Sequence, residues 1–417
     1  MKQAIVFAGG GSKGAYQIGV WRALNELGES FDIATGTSVG SINAAFYVQH
    51  DLEAATEMWQ NLDVDSVMVN GMNFEKSFGV IFEQREKILP FAKSYFKGRG
   101  ADVKPFYDMV AHYYNPDKFF SSDVDFGLMT CRYPSFEPHE VYKSDMAQDK
   151  ENGWHWIGAS TAAFPVFPAF EINGEQYVDG GWYDNVPISM AIKLGAEKIT
   201  AVDLNTDKVH MGYIRHPWVH YIKPSKDLGT FLNFEKDAIS FSMNLGYDDC
   251  MKEYGRYLGE YYTFDPDYTD DTIDRAAQIF TSVLTLSEAK FEFMPMLSLH
   301  RVNKLEGCSY ILSEISNTER PTEKDMFIAA IELLMGRMGY KCDKTYKLSS
   351  LLYELKSKVD RLYPLLEFDF EKAFETLKQF FEPYEPTEDI HKKKIDKEHK
   401  RIIIMSIIRT LQQCNFR

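Results

Sequence analysis

The stretch Phe31-Asp32-Ile33-Ala34-Thr35-Gly36-Thr37-Ser38-Val39-Gly40-Ser41-Ile42-Asn43-Ala44 decides the fold. It opens as a short apolar run and closes with helical spacing, and between the two stands Gly36-Thr37-Ser38-Val39-Gly40, a G-x-S-x-G. The pattern predicts a strand over 31–35, a helix from 41 to 48 and a sharp turn between them. Such a turn lifts a serine oxygen clear of the backbone, and glycines two residues to either side let the chain bend without Cβ clashes. The helix N-terminus behind the turn offers unbonded N–H groups and the positive end of a dipole, both of which favour a negative oxygen. Read alone, the pentapeptide is equally a Gly/Ser loop, because both residue types are common in loops.

Upstream, an apolar run over 4–8 reads as a buried strand, followed by Gly9-Gly10-Gly11-Ser12-Lys13-Gly14 and a helix over 15–27 stopped by Gly28. The glycine stretch has three readings. It is a tight turn; or a dinucleotide phosphate loop, which expects an acid at the end of the second strand, where Asp32 instead opens that strand; or an oxyanion hole in which the N–H groups of Gly10 and Gly11 face a charge that develops during acyl transfer. The third is favoured because Ser38 lies one βα unit away, and neighbouring turns of a parallel sheet lie side by side.

Downstream, runs over 126–130 and 198–204 read as strands, with a helix over 188–194 capped by Gly195. Strands alternating with helices imply an α/β fold, a mostly parallel sheet flanked by helices. A short strand over 176–178 follows the hairpin-type turn Asn173-Gly174 and leads into Asp179-Gly180-Gly181. Asp179 is either an Asx-type turn residue or a functional carboxylate. Asn185 reads as the N-cap of the next helix, with Pro187 in its first turn.

From about 50 to 120 the pattern is helical and rich in Phe and Tyr, and after about 250 the strand signal fades into helical stripes. One stripe is Leu348, Leu351, Leu352, Leu355, Val359 and Leu362; another is Phe370, Phe374, Leu377 and Phe381. The expected organisation is a catalytic domain over 1–255 and a helical C-terminal region over 256–417.

Composition narrows the function. With 45% hydrophobic and 26% charged residues the chain is globular, not disordered. Acids outnumber bases 61 to 46, a net charge of −15, which argues against nucleic acid as a partner and makes docking on an anionic membrane depend on a local basic patch. The basic run 391–401 beside Ile402–Ile408 is such a patch, although a final helix packed on the domain with a solvated charged face is the preferred reading. Cysteines 131, 250, 308, 342 and 414 are scattered, which points to a reducing compartment and away from a disulfide framework or a structural zinc site. The apolar run near the N-terminus is shorter than a signal-peptide core, and no stretch approaches the ~20 apolar residues of a membrane span. A cytoplasmic chain is expected, with any lipid contact peripheral at the inner membrane face.

Three elements in this order resemble the patatin-like phospholipase family: the opening glycine loop, Gly-Thr-Ser-x-Gly, and the later Asp-Gly-Gly. Gly14-Ala15-Tyr16-Gln17, Ser41-Ile42-Asn43-Ala44, Ala159-Ser160 through Pro168, and Tyr221–Gly229 are also similar to that family, so the resemblance covers roughly residues 1–250. It implies a lipid acyl hydrolase of the phospholipase A type that needs no metal or cofactor. Ser38 would be the nucleophile and Asp179 its partner in a Ser–Asp dyad. Gly9, Gly10, Gly11 and Gly14 would form the oxyanion loop, with Gly36, Gly40, Lys13, Gly180 and Gly181 in support. An aspartate with a pKa of ~3.9 is a poor base for a hydroxyl, so partial burial should raise it. Two alternatives stay open: a Ser-acid-His triad using His210, His216 or His220, which follow Asp179, and a non-catalytic module that holds acyl chains or protein partners on the same fold.

Overall fold

The computed structural model of the chain describes residues 1–69, 101–205, 213, 216–268, 270–292, 308–316, 320–362 and 397–416. It divides into two compact units, Met1–Met251 and Lys252–Arg417.

The first unit is built on one sheet of eight strands: β1 (Gln3–Phe7), β2 (Ile33–Thr37), β3 (Asp125–Tyr133), β4 (Pro138–Tyr142), β5 (Phe170–Ile172), β6 (Glu175–Asp179), β7 (Lys198–Val202) and β8 (Val219–Ile222). The order is β5-β6-β3-β2-β1-β7-β8, with β4 also on β3. β1 pairs in parallel with β2 and β7, β2 with β3, and β7 with β8, whereas β4 and β6 run antiparallel to β3 and β5 antiparallel to β6. The parallel centre follows from sequence: Ala4 to Phe7 are buried on both faces, as continuous apolar runs require.

β2 begins and ends two residues later than the sequence suggests, taking in Gly36 and Thr37. Glycine is a poor strand former by up to ~1 kcal/mol. Burying Ile33 alone is worth ~1.5–3 kcal/mol, so packing overrides propensity here. Two helices frame the first turns, α1 (Ala15–Glu26) and α2 (Val39–Val48), and every residue of α2 is buried.

The register on β3 brings the later part of the unit to the first turns. β2 pairs with Asp125–Met129 and β4 with Gly127–Cys131, so these two lie on opposite edges of β3. β6 pairs with Thr130–Tyr133, overlapping β4 at Thr130 and Cys131, and must therefore occupy the edge that β2 has just left. Thr37 ends opposite Met129 and Asp179 ends opposite Thr130, so the two strands run head-on toward one point.

The hairpin β5–β6 turns on Asn173 and Gly174, both at positive φ (54° and 83°) as a type I′ turn demands. Asn185 is not a helix cap; Pro187 occupies that position before the helix Ile188–Lys193.

The second unit packs the helices Asp270–Glu292, Cys308–Ile315, Glu323–Arg337, Leu348–Leu362 and Lys397–Gln413 around an apolar core. Thr322 and Asp325 cap the third of these reciprocally. The stripe Leu348, Leu351, Leu352, Leu355 and Val359 lies inside, while Phe370, Phe374, Leu377 and Phe381 fall outside the described residues. Ile402, Ile403, Ile404, Met405, Ile407 and Ile408 are 0–1% exposed, so this apolar face is spent on the core and is not offered to lipid. The basic residues 391–396 lie outside the described residues. The unit is not wholly helical: Thr263–Asp265 and Thr345–Lys347 form a parallel two-stranded ladder, too short to produce an alternating pattern in sequence. Among the described residues no helix is long and apolar enough to cross a membrane.

Candidate active site

Ser38 stands between β2 and α2 with φ 56° and ψ −131°, a conformation costly for a residue with a side chain. The flanking glycines make that turn feasible. A Cβ on Gly36 would lie 2.2 Å from the Gly40 carbonyl oxygen, and one on Gly40 would lie 2.2 Å from the Phe7 carbonyl oxygen. The turn is then locked by hydroxyls. Ser41 Oγ donates to the Ser38 carbonyl (2.6 Å), Thr37 Oγ1 donates to the Asp184 carbonyl (2.8 Å), and the Ser38 N–H donates to Ser160 Oγ (3.0 Å). Ser160 Oγ in turn donates to the Met129 carbonyl (2.7 Å), which ties the turn to β3 where β2 gives way to β6.

Asp179 ends β6 and is buried, as is Ser38. Its Oδ1 accepts the Gly181 N–H at 2.8 Å, so the Asx-type turn read from sequence exists. Gly180 is obligatory behind it, since a Cβ there would lie 2.2 Å from the Met129 carbonyl oxygen. Burial pushes the Asp179 carboxyl up to about 6, against the hydrogen bonds from the Ser38 side chain and the Gly181 backbone, which pull it down.

The glycine loop lies against Ser38: a Cβ on Gly9 would be 3.0 Å from Ser38 Cβ. Its ends are pinned. The Gly9 N–H donates to the Asn185 carbonyl (3.1 Å) and the Asn185 side-chain amide donates to the Gly9 carbonyl (3.0 Å), while the Ser12 N–H donates to the Phe231 carbonyl (2.9 Å). Between these anchors the N–H groups of Gly10 and Gly11 have no hydrogen-bond partner among the described residues. A buried network holds the loop from behind. Gln17 donates to the Ala8 carbonyl (2.8 Å), Asn43 donates to the Gly14 carbonyl (3.0 Å) and to Gln17 (2.8 Å), and Trp59 donates to Asn43 (2.9 Å). Lys13 is half-buried in the helical turn Gly11–Gly14 and does not line the cavity.

Ser38, Asp179 and Gly9–Gly11 together line a cavity of about 200 Å³. Apart from Thr161 and Asn185 the rest of the wall is apolar, with Trp59, Phe106, Met109 and Phe167 from the aromatic-rich region and Phe231 and Phe234 from beyond β8. The site can therefore offer a hydroxyl, a carboxylate and two backbone donors to an apolar ligand.

Asp32, His216 and His220 stand apart from this cavity. Asp32 sits at the start of β2, where its carboxylate accepts the Gln3 N–H (2.8 Å), at the opposite end of the strand from the glycine turn. His216 packs its ring on Trp218 (4.7 Å), neither His216 nor His220 lines the cavity, and His210 lies outside the described residues. Sequence reasoning missed Asn185, Ser160 and the wall from Phe231 to Phe234. The stretch Phe231-Leu232-Asn233-Phe234 has no period that would announce the last of these.

Residues 5–192 match the family model of patatin-like phospholipases. Curated relatives include the lysophospholipase NTE1 of Candida albicans, 25% identical over 222 residues, and that of Phaeosphaeria nodorum, 27% identical over 206 residues. These alignments cover 50% and 48% of this chain but only 14% and 12% of the relatives, so the chain spans a small part of their length. Among solved structures, VipD from Legionella pneumophila aligns over 98% of this chain and 91% of its own, at 12% identity and a TM-score of 0.39. The type III effector ExoU aligns over 96% of this chain and 87% of its own, at 13% identity and a TM-score of 0.31.

Proposed function

Through residues 5–192 the chain belongs to the patatin-like phospholipase family, and we propose on that basis that it is a serine lipid acyl hydrolase working through a Ser38–Asp179 dyad. One observation carries the reading: a strained, buried serine and a buried carboxylate line one largely apolar cavity with two backbone N–H groups that have no partner among the described residues. The relatives named lysophospholipases favour an acyl ester of a phospholipid as the substrate class.

In the proposed reaction Ser38 Oγ attacks the ester carbonyl while Asp179 accepts the hydroxyl proton. The N–H groups of Gly10 and Gly11 receive the negative charge that forms on the carbonyl oxygen. Collapse of the tetrahedral intermediate breaks the ester bond, and the leaving alcohol takes the proton from Asp179. Water then attacks the acyl-serine, with Asp179 again the base, releasing the fatty acid and restoring Ser38. Gly9 and Gly14 shape the loop, and Gly36, Gly40, Gly180 and Gly181 allow its two partners to approach. Lys13 is assigned a supporting role at the edge of the loop. A carboxyl near 6 is a better base at neutral pH than one near 4, and this is what burial of Asp179 achieves.

A fluorophosphonate probe, together with a panel of phospholipids and lysophospholipids, tests the proposal. Wild type should label at Ser38 and release fatty acid, and Ser38→Ala should do neither. A folded wild type that stays unlabelled and inert across the panel would instead make this a binding module.

A further inference from the structure

Three ligand-type side chains that the hydrolase reading does not use converge inside the second unit. Glu288 lies near the end of the helix Asp270–Glu292, Cys308 opens the helix Cys308–Ile315, and His399 lies in the first turn of the helix Lys397–Gln413. Cys308 and His399 are 0% and 5% exposed and Glu288 is half-buried. One carboxylate oxygen, one thiol sulfur and one imidazole nitrogen all lie within 4.8 Å of one another. We propose that Glu288, Cys308 and His399 bind a divalent metal ion, Zn²⁺ by the chemistry of the set, as a clamp across these three helices.

The donor types select the ion. A thiolate excludes Mg²⁺ and Ca²⁺, which take oxygen ligands, and the combination of S, N and O donors matches Zn²⁺. Zinc bonds of ~2.0–2.3 Å put tetrahedral ligand atoms ~3.3–3.8 Å apart, so the observed span closes by about an ångström of side-chain rotation. The surroundings already orient the ligands. The Cys308 N–H donates to Glu288 Oε1 (2.9 Å), which fixes the carboxylate and leaves its other oxygen for the metal. The Cys308 thiol donates to the His399 carbonyl (3.9 Å), which places the sulfur beside that residue in the metal-free protein; metal binding would release this proton. Among the described residues the protein supplies these three ligands. No spacing in the sequence announces this set, because its members stand at 288, 308 and 399.

The test uses the full chain, stripped with a chelator and titrated with Co²⁺ and then Zn²⁺. Wild type should develop a thiolate-to-cobalt charge-transfer band at one equivalent, lose it to Zn²⁺, and melt at higher temperature with Zn²⁺ than without. Cys308→Ser should abolish the band, and His399→Gln should weaken binding by more than the roughly 10–100-fold that loss of an outer-shell partner costs. Glu288→Gln keeps an acceptor for the Cys308 N–H, so it should fold as wild type by far-UV circular dichroism and yet bind more weakly. Absence of the band in wild type would reduce the set to a hydrogen-bonded cluster. A band that survives in Cys308→Ser would move the metal elsewhere. Either result overturns the proposal.

Discussion

Asp179 gives one carboxylate oxygen to the Gly181 N–H at 2.8 Å, and its second oxygen is not committed to that turn. The side chain thus closes a turn and faces Ser38 at once, and a substitution can separate the two duties. Asn keeps an acceptor for the Gly181 N–H but cannot take a proton from a hydroxyl. Asp179→Asn should retain the wild-type far-UV spectrum while kcat falls by about 10²–10⁴-fold. Ester hydrolysis by a folded Asp179→Asn at the wild-type rate would show that the proton goes elsewhere.

The raised Asp179 carboxyl fixes two pH dependences of opposite sign. Hydrolysis needs the ionised base, so kcat/KM should rise about tenfold per unit below about 6 and level off above it. Stability runs the other way. A carboxyl whose folded pKa lies above its unfolded value contributes stability that is complete below about 3.8 and is lost as pH climbs through about 6. At ~1.4 kcal/mol per tenfold change in proton affinity this loss is on the order of 3 kcal/mol. Thermal midpoints at pH 5 and pH 8 should therefore draw together in Asp179→Asn, which should melt higher than wild type at pH 8.

The contact of Gly40 with Phe7 leaves no room for a methyl group. Gly40→Ala would place Cβ 2.2 Å from the Phe7 carbonyl oxygen, a backbone atom in a central strand that cannot retreat. A loss of roughly 3 kcal/mol or more is expected, read as a lower denaturation midpoint, together with slower labelling of Ser38 as the turn is displaced.

The sequence made the centre of the sheet legible because Ala4–Phe7 and Ile33–Thr35 are buried on both faces and so read as unbroken apolar runs. The turn was legible because glycine is forced at 36 and 40 by backbone contact. The true end of β2 was hidden by that same Gly36, which reads as a breaker and acts as a strand residue. Asn185 showed the composition of a helix cap but spends its amide on Gly9, a partner far away in the chain. The cavity wall from Phe231 to Phe234 follows from long-range folding, to which no local period answers.

Glu332 gives a second pH handle, inside the helical unit. It is buried, its Oε1 accepts the Tyr261 and Tyr262 N–H groups (2.9 and 2.7 Å), its Oε2 has no partner among the described residues, and burial pushes it up to about 7. Its contribution to stability is complete below about 4.5 and is lost as pH rises through about 7. Glu332→Gln supplies a neutral group of the same shape and keeps an acceptor for both N–H groups. Its thermal midpoint should exceed that of wild type at pH 8 and lose much of its fall between pH 5 and pH 8.

Strand β3 acts as a ruler between the nucleophile and its base. Because β2 and β6 dock on one edge of it at consecutive residues, Met129 and Thr130, the spacing of the pair is set by the length of a third strand that belongs to neither. Two residues inserted between those positions would part the pair by about 7 Å at ~3.3 Å per residue, and would also interrupt the β4 ladder, which runs across them on the other edge. The length of β3 at its centre is thus fixed twice over, by the β4 ladder on one edge and by the meeting of the pair on the other.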